Sequence, residues 1–125
     1  MCLDTVDKEI KVKEGIGWKC FRKDGGHLYS LCFSTGSMPR RRWITDKRTE
    51  PIHGLDSDYP AGFHVHLNKN DAAIWRGGCD DYVVIPVKFQ DAVATGTQNK
   101  GDKASTIVAR EIRIFTAKEA REYDK

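Results

Sequence analysis

The chain has 125 residues, with 21 basic and 18 acidic side chains and a net charge of +3. That length suits one domain that buries about two thirds of its unfolded surface. The near-balanced charge excludes the strong basic excess of a dedicated duplex-DNA binder.

No stretch approaches the ~20 apolar residues of a membrane span, so no membrane partner is expected. The opening Met1-Cys2-Leu3-Asp4-Thr5-Val6-Asp7-Lys8 lacks the basic-then-apolar order of a secretory leader. The expectation is one cytoplasmic domain over residues 1–125. The four cysteines, Cys2, Cys20, Cys32 and Cys79, form no CxxC pair and are irregularly spaced. Neither a disulfide framework nor a zinc site is signalled, and Cys20 and Cys32 read as small buried hydrophobes. No metal and no cofactor is expected.

Residues 8–13 (KEIKVK) alternate charge with Ile10 and Val12, which predicts an exposed edge strand guarded by lysines. Residues 17–22 and 27–33 read as two strands of a hairpin, because Lys23-Asp24-Gly25-Gly26 supplies the positive φ of a tight turn. Residues 34–61 hold Pro39, Pro51 and Pro60 with Gly36 and Gly54, and only Arg42–Thr45 reads as a short strand. A long irregular stretch inside a small domain is a common place for function.

In Gly62-Phe63-His64-Val65-His66-Leu67, the two-residue period puts Phe63, Val65 and Leu67 on one face of a strand. His64 and His66 fall on the other. Asn68 is a good N-cap for a helix over 69–76, with Asp71 in its first turn and Gly77-Gly78 at its end.

Residues 81–89 read as the strongest strand, with Val83, Ile85, Val87 and Phe89 on one face. Pro86 removes a ladder donor and predicts an edge or a bulge there. Residues 92–95 continue after a break, and 97–103 form a polar turn. Residues 105–115 form a long strand, and Thr116 with Glu119 resembles a capping box opening a terminal helix through Tyr123. The sum is α+β: a mainly antiparallel, twisted sheet with one short central helix and a short C-terminal helix.

Three features carry chemistry. Arg40, Arg41 and Arg42 are adjacent, and their guanidiniums match phosphate oxygens, with Trp43 beside them to stack on a base. The bland reading is a solvated loop whose arginines pair with Asp46, Glu50, Asp56 or Asp58. His64 and His66 share a strand face and read as phosphate contacts or as an outer polar face. Arg110, between Val108 and Ile112, needs a partner or a ligand. No P-loop, GxGxxG, GxSxG or HExxH is present, so nothing in the motifs points to an enzyme.

YPAGFHVHLNKNDAAIW, followed by DYVVIPVKFQDAVATG and STIVAREIRI, resembles a class of small phage and prophage proteins of unknown function. The shared pattern runs from about Trp18 to Ile114: a KCFRK-type strand, GFH, a dA-W helix, V-x-V-x-F, A-x-G and a VAREI-type strand. The resemblance implies a family fold and no reaction.

A looser resemblance is to ADP-ribosyltransferases. Gly62 to Val65, the Asp71–Trp75 helix and Val87 to Gly96 follow the strand–helix–strand order of one branch. Arg22, Ser34-Thr35 and Glu111 follow the arginine, serine-threonine, glutamate order of another. Gly36 replaces the second serine of that pattern, and Ala109 stands where an acidic or amide residue is usual.

The function expected from these residues is a phage-type accessory protein, acting on host or counter-defence components by binding a nucleotide or other phosphate-bearing ligand without turnover. Arg40, Arg41, Arg42 and Trp43 would line the cleft, with His64, His66 or Arg110 opposite. One alternative is an ADP-ribosyltransferase-like enzyme in which Arg22 holds a dinucleotide phosphate and Glu111 orients the ribose. Another is inhibition of a host protein by surface contact, the strand at 8–13 pairing with a partner or with a second copy to form a homo-oligomer.

Overall fold

The computed structural model describes residues 3, 5–6, 12–30, 38–53, 58–76, 78, 80–98 and 104–123. The elements are β1 (Thr5–Val6), β2 (Gly15–Asp24), β3 (His27–Ser30), β4 (Trp43–Thr45), β5 (Ile52–His53) and β6 (Asp58–Tyr59). They continue with β7 (Phe63–His66), α1 (Lys69–Arg76), β8 (Tyr82–Gln98), β9 (Ala104–Ile114) and α2 (Ala117–Tyr123). The architecture is α+β, a mostly antiparallel sheet with two short helices.

The hairpin signal is realised at its tip. Gly25 and Gly26 adopt φ of 58° and 82°, and Asp24 pairs with His27. Two successive positive-φ residues make the turn whose twist matches its flanking strands, and only glycine enters it without strain.

The sheet runs β1-β8-β2-β7-β9-β4, with β3 on β2 and a further pairing of β8 with β9. The pairings β8–β2, β2–β7, β7–β9 and β9–β8 thus turn back on themselves. The β2–β7 link is the single pair Trp18↔His66, so the sheet does not close as a barrel. Gly17 sits at that crossing, where a Cβ would lie 2.7 Å from His66 O and overlap Val65 Cγ1. A side chain there would push the two strands apart.

The strand expected at 8–13 falls mostly outside the described residues, and Val12 and Lys13 are exposed and belong to no strand. The described N-terminal strand is β1, which pairs Thr5 with Thr97 and Val6 with Gly96.

Pro86 does not put β8 on an edge: β8 has β2 along one side and β9 along the other. The reason is local. A residue's N and C=O face the same side of a strand, and Pro86 O accepts from Phe115 N at 3.2 Å. Its missing N–H therefore faces the place where β9 ends, one pair beyond Val87↔Ile114.

The break expected after Phe89 is an irregularity inside one long strand. Asp91 has φ 57°, and the register shifts between Ala92 and Ala94. Opposite it, the alternation of β9 slips by one: Ile107, Ala109, Ile112 and Ile114 all enter the main core. That core also holds Phe21, Phe63, Val65, Val87 and Phe89. Leu3, Tyr59, Ala94 and Val108 form a smaller cluster on the other side of β7 and β9.

Both helices begin as their caps predict. Asn70 N donates to Asn68 Oδ1 at 3.0 Å, capping α1. Thr116 N donates to Glu119 Oε1 at 3.0 Å and Glu119 N to Thr116 Oγ1 at 3.1 Å, a reciprocal box opening α2. α2 buries no residue fully, yet Tyr123 stacks near Trp18 and Phe115, at ring distances of 5.5 and 5.7 Å.

Candidate functional site

The histidine face of β7 is interior. His64 and His66 are 5% and 4% exposed, whereas Leu67, expected in the core, is 45% exposed. β7 is covered on both faces, by the main core on one side and the smaller cluster on the other. Tyr59 Oη and His64 Nε2 lie 2.9 Å apart, and Leu3 N donates to the same hydroxyl at 2.9 Å. Buried Lys19 donates from Nζ to His64 O at 3.0 Å, and Thr106 Oγ1 lies 3.2 Å from His66 Nδ1.

Burial, with the positive charges of Lys19, Arg48 and His66 behind it, pushes His64 down to about 3. Burial and Lys19 take His66 down to about 4. Both are neutral imidazoles at pH 7, sealed from an external phosphate. They are not the cleft contacts the sequence suggested.

The arginine run is also placed otherwise. Arg40 donates from Nη1 to Phe115 O at 2.9 Å, fastening the chain to the end of β9. Arg41 takes φ 71° and its N meets Ile114 O at 3.3 Å. Arg42 and Trp43 are exposed. None of the four lines the clefts described below. Two of the expected acidic partners are engaged elsewhere: Asp46 holds Arg48, and Asp58 lies 3.0 Å from His53. Asp56 lies outside the described residues.

Asp46 and Arg48 organise the irregular stretch. Asp46 is 5% exposed. Arg48 Nε donates to both of its carboxylate oxygens at 3.0 Å, Arg48 Nη2 to Oδ2, and Arg48 N to Oδ1 at 3.0 Å. Burial alone would raise the Asp46 carboxyl. The hydrogen bonds from Arg48 and the charges of Arg48 and Arg110 outweigh it and hold the group below its ordinary value.

Arg48 Nη2 also donates to Gly62 O at 3.1 Å, and Asp46 N donates to Arg110 O at 2.7 Å. Arg110 returns from β9 with Nη1 donating to Arg48 O at 3.0 Å and Ala61 O at 2.7 Å. One carboxylate and two guanidiniums thus pin residues 46–48 and 61–62 to β9.

Three clefts open around this network, and Arg48 lines each of them. The first, about 500 Å3, has Met38, Ile44 and Phe63 with Thr45 to Arg48. The second, about 630 Å3, lies between residues 48–51 and 58–61, with Val93 and Arg110. The third, about 530 Å3, is lined by residues 47–53. In the second, Arg110 keeps Nε and Nη2 without a hydrogen-bond partner among the described residues. Arg110 is therefore a structural clamp, held by backbone carbonyls, that also lines this cleft.

Arg22 and Glu111 are not brought together. Arg22 pairs with Asp24 at 3.4 Å near the hairpin tip and lies 4.6 Å from the Tyr29 ring centroid. Glu111 accepts from Thr45 Oγ1 and Gln90 Nε2, both at 3.1 Å. Their register partners on β8, Tyr82 and Gln90, are far apart along one strand. At about 3.3 Å per residue the separation is roughly 26 Å, too far for one phosphate–ribose unit. Ser34 and Thr35 lie outside the described residues.

Cys20 is buried, while Cys2, Cys32 and Cys79 lie outside the described residues. Among the described residues no three metal-ligating side chains converge, and no helix is long and apolar enough to cross a membrane. No protein-family model, curated protein or solved structure matches the chain.

Proposed function

We propose that the protein binds a phosphate-bearing ligand of nucleotide size, without turnover, in the cleft between residues 48–51 and 58–61. The observation that carries this reading is Arg110: two of its guanidinium nitrogens, Nε and Nη2, are unengaged among the described residues, and the side chain lines a cleft of about 630 Å3. Small-molecule sites span about 300–1,000 Å3 and combine apolar walls with a few fixed polar groups. Here Pro51, Pro60 and Val93 supply apolar surface for a base or sugar, and Thr49 and Arg48 flank the anion position. The Nη1 bonds to Arg48 O and Ala61 O preset the guanidinium plane, so little ordering is left for the ligand to impose.

The resemblance to small phage and prophage proteins gives such binding a context. Sequestering a nucleotide signal in a host cytoplasm requires affinity and no catalytic group. The site so placed lies away from Arg40–Trp43 and includes Arg110.

Calorimetry against cyclic nucleotides, nucleoside diphosphates and ADP-ribose tests it. Binding of at least one is expected. Arg110→Lys keeps the charge and loses the fork, and should weaken binding by about tenfold or more, the scale of a charge-assisted hydrogen bond. Arg42→Gln, outside the cleft, should bind as the parent does. Absence of binding to every ligand, or equal loss in the two variants, would remove the proposal.

A further inference from the structure

The arginine run lies outside the clefts and borders an edge of the sheet. β4 is the last strand of the sheet and pairs with β9 through Trp43↔Arg113, Ile44↔Ile112 and Thr45↔Glu111. The ladder continues one step, with Asp46 N donating to Arg110 O at 2.7 Å. In an antiparallel ladder, successive residues turn their N–H and C=O to opposite edges. Ile44 and Asp46 therefore turn theirs to β9, and Trp43 and Thr45 turn theirs outward. Among the described residues no strand pairs with that outer edge.

The chain on either side of it is positive, and the carboxylate across the ladder, Glu111, is engaged by Thr45 Oγ1 and Gln90 Nε2. Arg41, Arg42 and Lys47 flank the strand and are exposed, while Asp46, the nearest acidic residue in sequence, is buried against Arg48. Trp43, 41% exposed, adds aromatic surface beside the open amides. A second copy pairing edge to edge would set Arg41, Arg42 and Lys47 against the same groups of its mate, which like-charge repulsion opposes.

We propose that the outer edge of β4 docks an extended acidic segment of a partner protein as an added strand. The main-chain groups of Trp43 and Thr45 supply the hydrogen bonds, and the flanking cations select the charge. An extended segment alternating acidic and β-branched residues satisfies both at once. Its carboxylates reach Arg42 and Lys47 while its backbone meets the open groups.

The test is a titration of the whole protein with a short peptide alternating Glu and Val, and with its Lys-for-Glu counterpart, followed by amide NMR. Saturable binding of the Glu peptide only is expected, with slowed exchange of the Trp43 and Thr45 amides. Thr45→Pro removes an outward N–H that β9 does not use. It should weaken binding by about tenfold, a loss on the scale of one net hydrogen bond, whereas Thr45→Val, which keeps the N–H, should not. Arg42→Glu should weaken it at least as much, with the difference shrinking at high salt. Binding of both peptides, binding unaffected by Thr45→Pro in a folded variant, or no binding at all overturns the proposal. So does concentration-dependent dimerisation that the Glu peptide does not compete away.

Discussion

Acidification from pH 7 to pH 4 is expected to cost this fold most of its stability, through two histidines rather than through its carboxylates. His64 and His66 titrate near 3 and 4 in the folded chain, against 6.5 for an ordinary histidine. The unfolded chain therefore takes up protons first as pH falls below about 6.5, and folding loses ground from there down to the folded values. Neutral, buried imidazoles contribute their stability fully above that window. Each lowered unit is worth about 1.4 kcal/mol, so each histidine removes on the order of 3 kcal/mol by pH 4.

Two such losses rival the ~5–15 kcal/mol that holds an ordinary domain together. Asp46 and Glu119, held below their ordinary values, act in the same direction but lower, as pH falls through the carboxylate range. Urea unfolding at stepped pH separates the two windows. The slope between pH 6 and 4.5 should approach two protons and fall to about one in His66→Gln. A flat profile between pH 7 and 5 would mean that the imidazoles are not neutral and buried in the folded state.

Asp46→Ala is the substitution expected to do the most damage outside the core. It strips the shared counter-charge from Arg48 and Arg110 and frees the segment that walls all three clefts. Removing one partner of a buried ion pair costs about 3–5 kcal/mol, and the partial exposure of Arg48 brings the expectation nearer 2–3. A double-mutant cycle of Asp46→Ala with Arg48→Met should return a coupling of at least about 1 kcal/mol. Additive losses would mean that the pair holds nothing. Nucleotide binding should weaken with Asp46→Ala even where the variant remains folded, because Arg110 is oriented by the carbonyl of Arg48.

Local chemistry made several elements legible. Gly25-Gly26, Asn68 and the Thr116–Glu119 box act through neighbours in sequence, and each appears where its residues place it. β9 and the first half of β8 followed from their β-branched runs, whereas the continuation of β8 through Gln98 did not.

What failed depended on partners far along the chain. Pro86 reads as an edge signal only until Phe115 is known to end the ladder beside it. His64 and His66 read as an outer face because nothing local reveals that Leu3, Tyr59 and Val108 cover that side of β7. Asp46 reads as one of four candidate counter-ions for Arg40–Arg42. Its own loop carries Arg48 two residues on, a closer partner that the sequence offered and the charge run obscured. Arg110 is legible as a charge on an apolar strand, because its neighbours Val108 and Ile112 are apolar. The local slip opposite Asp91, which aims it at the loop, leaves no periodic trace.

The pairings of β8 also set an order of assembly. β9 follows it closely in the chain, whereas Gly15 must find Phe89 and Phe21 must find Val83 across about half of the sequence. Closing the longer loop costs more chain entropy, so the β8–β9 hairpin is expected to organise the folding transition state, with β2 joining late. In rapid-mixing kinetics, Val87→Ala and Ile107→Ala should chiefly slow folding, whereas Phe21→Leu should chiefly hasten unfolding. Until β2 arrives, one whole edge of β8 is open, and over that interval the chain is most exposed to pairing with its neighbours.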